Sequence, residues 1–255
     1  MRDSPLRVIL RGVPDETTGP RPILPIERVA AALEVILCSG FPTQLAVITV
    51  LSTFGMKVRL GGGQLAPAFV FALTLSDTVL LVALVFLFLR SHRESPRLAL
   101  FAQRRTGIEI ALGIAIIPLS FMLVILVLAI IQMIDPALHN VPQNPFADLA
   151  RTRGAAIMFG FVVMVAGGVR EEIQRGFILH RFEQYLGGGP LGLALFSVVF
   201  GLGHIEQGYD VAVATAALGA FWGALYLARR SVVAPMVAHA GFNLAQVVKF
   251  FFLGG

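Results

Sequence analysis

GGVREEIQRGF (Gly167–Phe177), FGLGH (Phe200–His204) and HAGFN (His239–Asn243) decide the fold of this chain, because they set ionisable side chains inside segments that otherwise read as membrane spans. A charged group is expensive in hydrocarbon unless it faces a protein interior or a wet cavity, so an intramembrane ionisable residue marks a functional site by default. Glu171, Glu172, Arg175, His204 and His239 are the residues of that kind here.

Working outward, 56% of the 255 residues are hydrophobic, 14% are charged and the mean hydropathy is +0.81. A soluble domain of this size lacks the polar surface to wrap so many apolar helices, so the composition indicates an all-α, polytopic membrane protein. The net charge of +5 does not point to nucleic acid, because the basic residues sit at the ends of apolar runs and orient a membrane protein. The lone cysteine, Cys38, excludes an intrachain disulfide, and no Cys/His cluster suggests structural zinc.

About 20 apolar residues cross the hydrocarbon, and seven segments meet or approach that length: 29–54, 67–89, 107–134, 154–186, 191–205, 211–228 and 232–253. Residues 1–28 are polar and proline-rich and read as a flexible cytoplasmic tail. Residues 29–134 then hold three spans, and residues 154–253 hold four, the expected place of a polar cavity in the late-helix bundle. Gly40 and Pro42 are expected to bend the first span, and Pro118 is a tolerated kink in the third. The fourth is too long for one crossing, so Arg181–Leu186 is expected to emerge as an amphipathic extension. The arginines before residue 29, between 90 and 105 and at Arg229–Arg230 outnumber the basic residues of the opposite loops. The positive-inside rule therefore puts the N-terminus in the cytoplasm and the chain in the cell (inner) membrane.

At about 1.5 Å per residue, Glu171 lies roughly 15 Å along its helix from Arg181, and His239 roughly 13 Å from Arg230. Both are expected at mid-depth, reached from the cytoplasmic side, with His204 deeper. Glu171 and Arg175 are spaced i,i+4 and Glu172 and Arg175 i,i+3, so the arginine can pair with either carboxylate. Adjacent carboxylates in low dielectric supply a base for water, imidazoles can hold water or a metal, and Asn243 with His239 can donate to an oxyanion. Taken singly, the Glu–Arg pair reads as a structural ion pair and His204 as a core histidine. Glu34 and Asp77 read as packing or lumen residues.

The order EE, FxxxH, HxxxN on successive late helices resembles the CAAX protease and bacteriocin-processing (CPBP) family of intramembrane proteases, over about residues 155–250. The resemblance implies an all-helical membrane fold with a cavity open to the cytosol and hydrolysis of a peptide bond near the membrane surface. It implies Glu171 as the water-activating base, Glu172 as its support, and His204, His239 and Asn243 as groups that bind water, a metal or the tetrahedral intermediate. If a metal is bound, zinc held by His204, His239 and Glu171 is the expected set; a metal-free glutamate mechanism is the alternative. The family pattern is EExxxR, whereas this chain reads EExxR. If Arg175 fixes the register, Arg170 takes the first glutamate position and Glu171 the second, so the choice of base between Glu171 and Glu172 stays open. The partners expected are membrane lipid and a peptide or membrane-anchored protein substrate. A non-catalytic bacteriocin self-immunity or membrane binding protein of the same fold is the competing reading, and a proton-relay transporter a further one.

Overall fold

The structure is a computed structural model and describes residues 22–253 except 62, 103, 143, 144 and 151. Most of the expected N-terminal tail, residues 1–21, lies outside the described residues, and the first helix begins at Pro25, inside the segment read as tail. Helices α1 (Pro25–Leu37) and α2 (Phe41–Thr53) are followed by α3 (Pro67–Ser91), the short α4 (Pro96–Phe101) and α5 (Thr106–Ile134). Helix α6 (Arg153–Val163) runs through a π-helical segment, Met164–Arg170, into α7 (Glu171–Tyr185). Helices α8 (Gly189–Leu202), α9 (Tyr209–Arg229) and α10 (Val233–Leu253) complete the bundle. Among the described residues there is no strand, only a single β-bridge between Arg59 and Leu65.

Among the described residues, four helices are long and apolar enough to span a bilayer: α3, α5, the continuous α6–α7 unit and α9. The pair α1–α2, bent by 45°, makes a fifth if it counts as one span. The bend falls where the sequence places it, at Gly40 with φ +93°, followed by Pro42 in the first turn of α2. These four or five spans are fewer than the seven read from the sequence. Helix α8 has only 14 residues, and α10, although 21 residues long, is interrupted by His239, Asn243, Gln246 and Lys249. Outward positions of the spans remain apolar, with Val79, Met122 and Ile125 all more than 60% exposed, as a lipid-facing surface requires.

Contacts define two ends of the bundle. At one, Arg229 pairs with Glu109 (2.5 Å), Arg230 with Glu183, and the Val232 amide donates to the Leu100 carbonyl (2.8 Å). At the other, His139 Nδ1 meets Asp210 (2.8 Å) and the Tyr209 amide donates to Asn140 Oδ1 (2.8 Å). The first end is basic and closed by a core of Leu81, Val85, Leu89, Leu100, Phe177 and Val232. The end of α7 does not emerge from the bundle as the sequence suggests. Arg181 is fully buried there, held by Glu34 (2.6 Å) and Glu94 (2.6 Å), and its neighbour Phe182 is also buried. The paired carboxylates make burial of that guanidinium tolerable. Helix α7 ends at Leu186, where the positive-φ pair Gly187–Gly188 lets the Gly188 amide return to the Phe182 carbonyl (2.9 Å), and Pro190 opens α8.

Candidate active site

The π-helical segment Met164–Arg170 delivers the two glutamates. A π-turn accommodates one residue more than an α-turn and re-aims the side chains after it, and here it ends immediately before Glu171. It also packs closely on α10. A Cβ at Gly168 would lie 2.6 Å from the Ala240 Cβ, and one at Gly167 would lie 3.1 Å from His239 Nε2. The two glycines let the backbones approach until the face of α10 carrying His239 and Asn243 meets the glutamates.

The neighbouring carboxylates have different environments. Glu172 is buried, and its Oε1 accepts from Arg175 Nη1 and from His239 Nδ1 (2.8 Å). Glu171 remains 18% exposed at its side chain, with Arg170 Nη1 and His239 Nε2 each 3.7 Å from one of its oxygens. Arg175 therefore pairs with Glu172 at i,i+3 and leaves Glu171, at i,i+4, to other partners. Its guanidinium is fully buried, about 5 Å from the ring centroids of Phe196 and Phe200, an arrangement that recovers part of the cost of desolvation.

A cavity of about 510 Å³ collects the remaining groups. Glu171, His204, His239 and Asn243 line it, together with Phe200 and Trp222, whereas Glu172 and Arg175 lie behind its wall. The structure thus brings four of the six expected residues to one space and sets the other two apart as a buried ion pair. His204 Nδ1 donates to the Phe200 carbonyl (2.9 Å), so the ring's Nε2 is free to accept. His239 lies flat against Trp222, with centroids 4.0 Å apart and an interplanar angle of 24°, and edge-on to Phe200. Asn243 Nδ2 reaches the Val163 carbonyl at 3.5 Å.

The expected zinc set does not gather. Among the described residues no three His, Cys, Asp or Glu side chains converge closely enough to hold a metal ion. His239 Nδ1 is committed to Glu172, and its Nε2 lies 3.7 Å from a Glu171 carboxylate oxygen.

The cavity lies toward the end of the bundle away from Arg229 and Arg230. Its lining descends the outer halves of α3, α5, α6, α9 and α10 to Val70, Phe146, Gln207, Val211 and Lys249. The closed core occupies the basic end.

Sequence reasoning missed Asp77 and Arg170 as a unit. Asp77 Oδ2 lies 2.7 Å from Arg170 Nη2, both residues are buried, and the same guanidinium reaches toward Glu171. A Cβ at Gly40 would lie 2.6 Å from Arg170 Nη2, so the glycine at the α1–α2 bend also makes room for this arginine. The signal was present: Asp77 is the only charged residue in the interior of its span.

Neither a curated protein nor a solved structure gives a match to the chain. Residues 153–245, rather more than a third of the chain, match the family model described as Type II CAAX prenyl endopeptidase Rce1-like. That segment contains Glu171, Glu172, Arg175, His204, His239 and Asn243, so the part of the chain that builds the cavity is the part similar to that family of membrane endopeptidases.

Proposed function

We propose that this protein is an intramembrane endopeptidase in which Glu171 activates the attacking water. The observation that carries the reading is the partition of the two glutamates. Glu171 faces the cavity beside His204, His239 and Asn243, whereas Glu172 is consumed by Arg175 and His239 behind it. Water held between the Glu171 carboxylate and His204 Nε2 loses a proton to Glu171 as its oxygen bonds to the scissile carbonyl carbon. The Asn243 amide donates to the oxyanion that develops. Glu172 accepts the Nδ1 proton of His239 and so keeps Nε2 aimed into the cavity. Glu171 then passes the proton to the amide nitrogen, the C–N bond breaks, and a carboxylate and an amine leave.

On this reading the chain crosses the membrane seven times, with the bent α1–α2 pair counted once. Helix α8 spans about 21 Å at the ordinary helical rise, short of the roughly 30 Å hydrocarbon core. The connection 203–208 completes its crossing.

The test is a library of peptides with membrane-proximal cleavage sites, incubated with the purified protein and with Glu171→Gln, Glu172→Gln and His204→Ala. The proposal expects cleavage by the parent and roughly 100- to 10,000-fold slower cleavage by Glu171→Gln. Equal cleavage by all four proteins would sink it, and bacteriocin protection that survives loss of both glutamates would favour an immunity protein instead.

A further inference from the structure

The basic end of the bundle holds more guanidiniums than its carboxylates can neutralise. The connection between α3 and α5 carries Arg90, Arg93, Arg97, Arg104 and Arg105 against a single carboxylate, Glu94. Glu94 is taken up by α7, where it meets Arg181 (2.6 Å) and His180. The other carboxylates at this end are committed too: Glu34 to Arg181 and His92, Glu109 to Arg229, and Glu183 to Arg230. Among the described residues, none of the five arginines of the connection has a carboxylate partner.

Two of these arginines share a pocket. Ser95, Arg97, Leu98 and Arg104 line an open depression beside α4. Arg104 Nε donates to the Arg229 carbonyl (3.3 Å), which orients the guanidinium and leaves its two Nη atoms uncommitted. The helix under the pocket is pinned to its neighbours. Leu100 of α4 is fully buried, its carbonyl accepts from the Val232 amide (2.8 Å), and the Ala99 carbonyl accepts from the Tyr226 hydroxyl (2.9 Å). Arg97 and Leu98, the latter 57% exposed, face outward from that platform.

We propose that this pocket binds the headgroup of an anionic phospholipid. Helices α3 and α5 are both of spanning length, so residues 92–105 lie where two spans leave the hydrocarbon, at the level of lipid phosphates. A guanidinium presents forked donors to two phosphate oxygens, and the Ser95 hydroxyl adds a third donor type to the same pocket. The exposed Leu98 beside the guanidiniums matches a ligand that carries an acyl chain as well as a phosphate; a free phosphate would leave that leucine against water. The pocket shares no residue with the Glu171 cavity, so its occupancy is measurable whether or not peptide is cleaved.

The purified full chain in a nonionic detergent would be titrated with dioctanoyl phosphatidylglycerol and, separately, dioctanoyl phosphatidylcholine, with bound lipid counted by native mass spectrometry. Each arginine beside an anionic headgroup contributes roughly fivefold in affinity, so the parent is expected to bind the phosphatidylglycerol roughly 25-fold more tightly than the phosphatidylcholine. The double variant Arg97→Gln, Arg104→Gln should lose that preference while melting like the parent in detergent alone. The double variant Lys57→Gln, Arg59→Gln, altered before the start of α3 and so at its other end, should keep it. Equal binding of the two lipids by the parent overturns the proposal, whether or not either variant folds. A preference retained by the Arg97→Gln, Arg104→Gln protein overturns it too, as does an equal loss in the Lys57→Gln, Arg59→Gln protein, which would mark diffuse surface charge. Displacement of the phosphatidylglycerol by an equal concentration of inorganic phosphate would make the pocket a soluble-anion site and overturn the lipid assignment.

Discussion

Glu171 and Glu172 are adjacent in sequence, yet replacing each by glutamine is expected to damage different properties. Among the described residues, Glu172 is the one hydrogen-bonding partner of the fully buried Arg175, whose Nε and Nη2 have none. Glu172→Gln leaves that cation uncompensated, and breaking a buried pair from one side costs about 3–5 kcal/mol. The rings of Phe196, Phe200 and Trp222 still surround the guanidinium; that term is present before and after the change and does not reduce the difference. For a chain of this length each kcal/mol moves the unfolding midpoint by about 2–4 °C, so the variant should melt roughly 6–20 °C lower. Glu171→Gln should behave otherwise. Its side chain is partly exposed, and Arg170 keeps its 2.7 Å partner Asp77. The expected loss of stability is under about 1 kcal/mol, with peptide cleavage slowed by orders of magnitude. Thermal unfolding of the purified proteins in one detergent, followed by intrinsic fluorescence, measures the first quantity, and initial rates of peptide hydrolysis measure the second. If Glu171→Gln melts lower than Glu172→Gln, or if both melt like the parent, the division between a cavity carboxylate and a structural one is wrong.

Gly168→Val would drive a branched side chain into Ala240, separating the π-helical segment from α10 at a cost of about 1–3 kcal/mol and abolishing cleavage; melting and activity assays on the variant check both. Asp77→Asn leaves Arg170 with Glu171 as its nearest carboxylate; the expected result is a lower kcat with little change in KM for the peptide, read from steady-state kinetics. Burial pushes the Glu94 carboxyl up, but the His180 hydrogen bond and the Arg181 guanidinium outweigh it and hold the group down at about 2, below its ordinary 4.5. A depressed carboxylate stabilises the fold above its unfolded pKa, and that contribution is lost as pH falls from about 4.5 toward 2. Melting curves across that window should therefore fall more steeply for the parent than for Glu94→Gln.

Much of the bundle was legible because its signals are local. Gly40 and Pro42 mark the bend, apolar runs mark α3 and α5, and the Gly187–Pro190 break separates α7 from α8. The count of spans was less legible, since α8 and α10 trade apolar length for the polar groups that the cavity uses. The candidate residues were visible as ionisable groups in apolar segments, but the partners of those residues were not. Spacing allowed Arg175 to pair with either glutamate, and only tertiary packing of His239 against Trp222 and Glu172 separates the two. The Asp77–Arg170 pair joins residues 93 positions apart, beyond the reach of any periodicity. The extent of the cavity was not legible for a related reason. Depth along each helix is a sequence property, but which residues line the cavity depends on how the side chains of several helices pack together.

The central claim is that Glu171 is the base of a water-activating peptide hydrolase. Its most direct test is mass spectrometry of products released from a membrane-proximal reporter peptide by the purified protein and by Glu171→Gln, in proteoliposomes, with the melting temperatures of both measured alongside. The account predicts a single internal cleavage by the parent and its loss in a Glu171→Gln protein that melts like the parent. Cleavage by the variant at the parent's rate would contradict it.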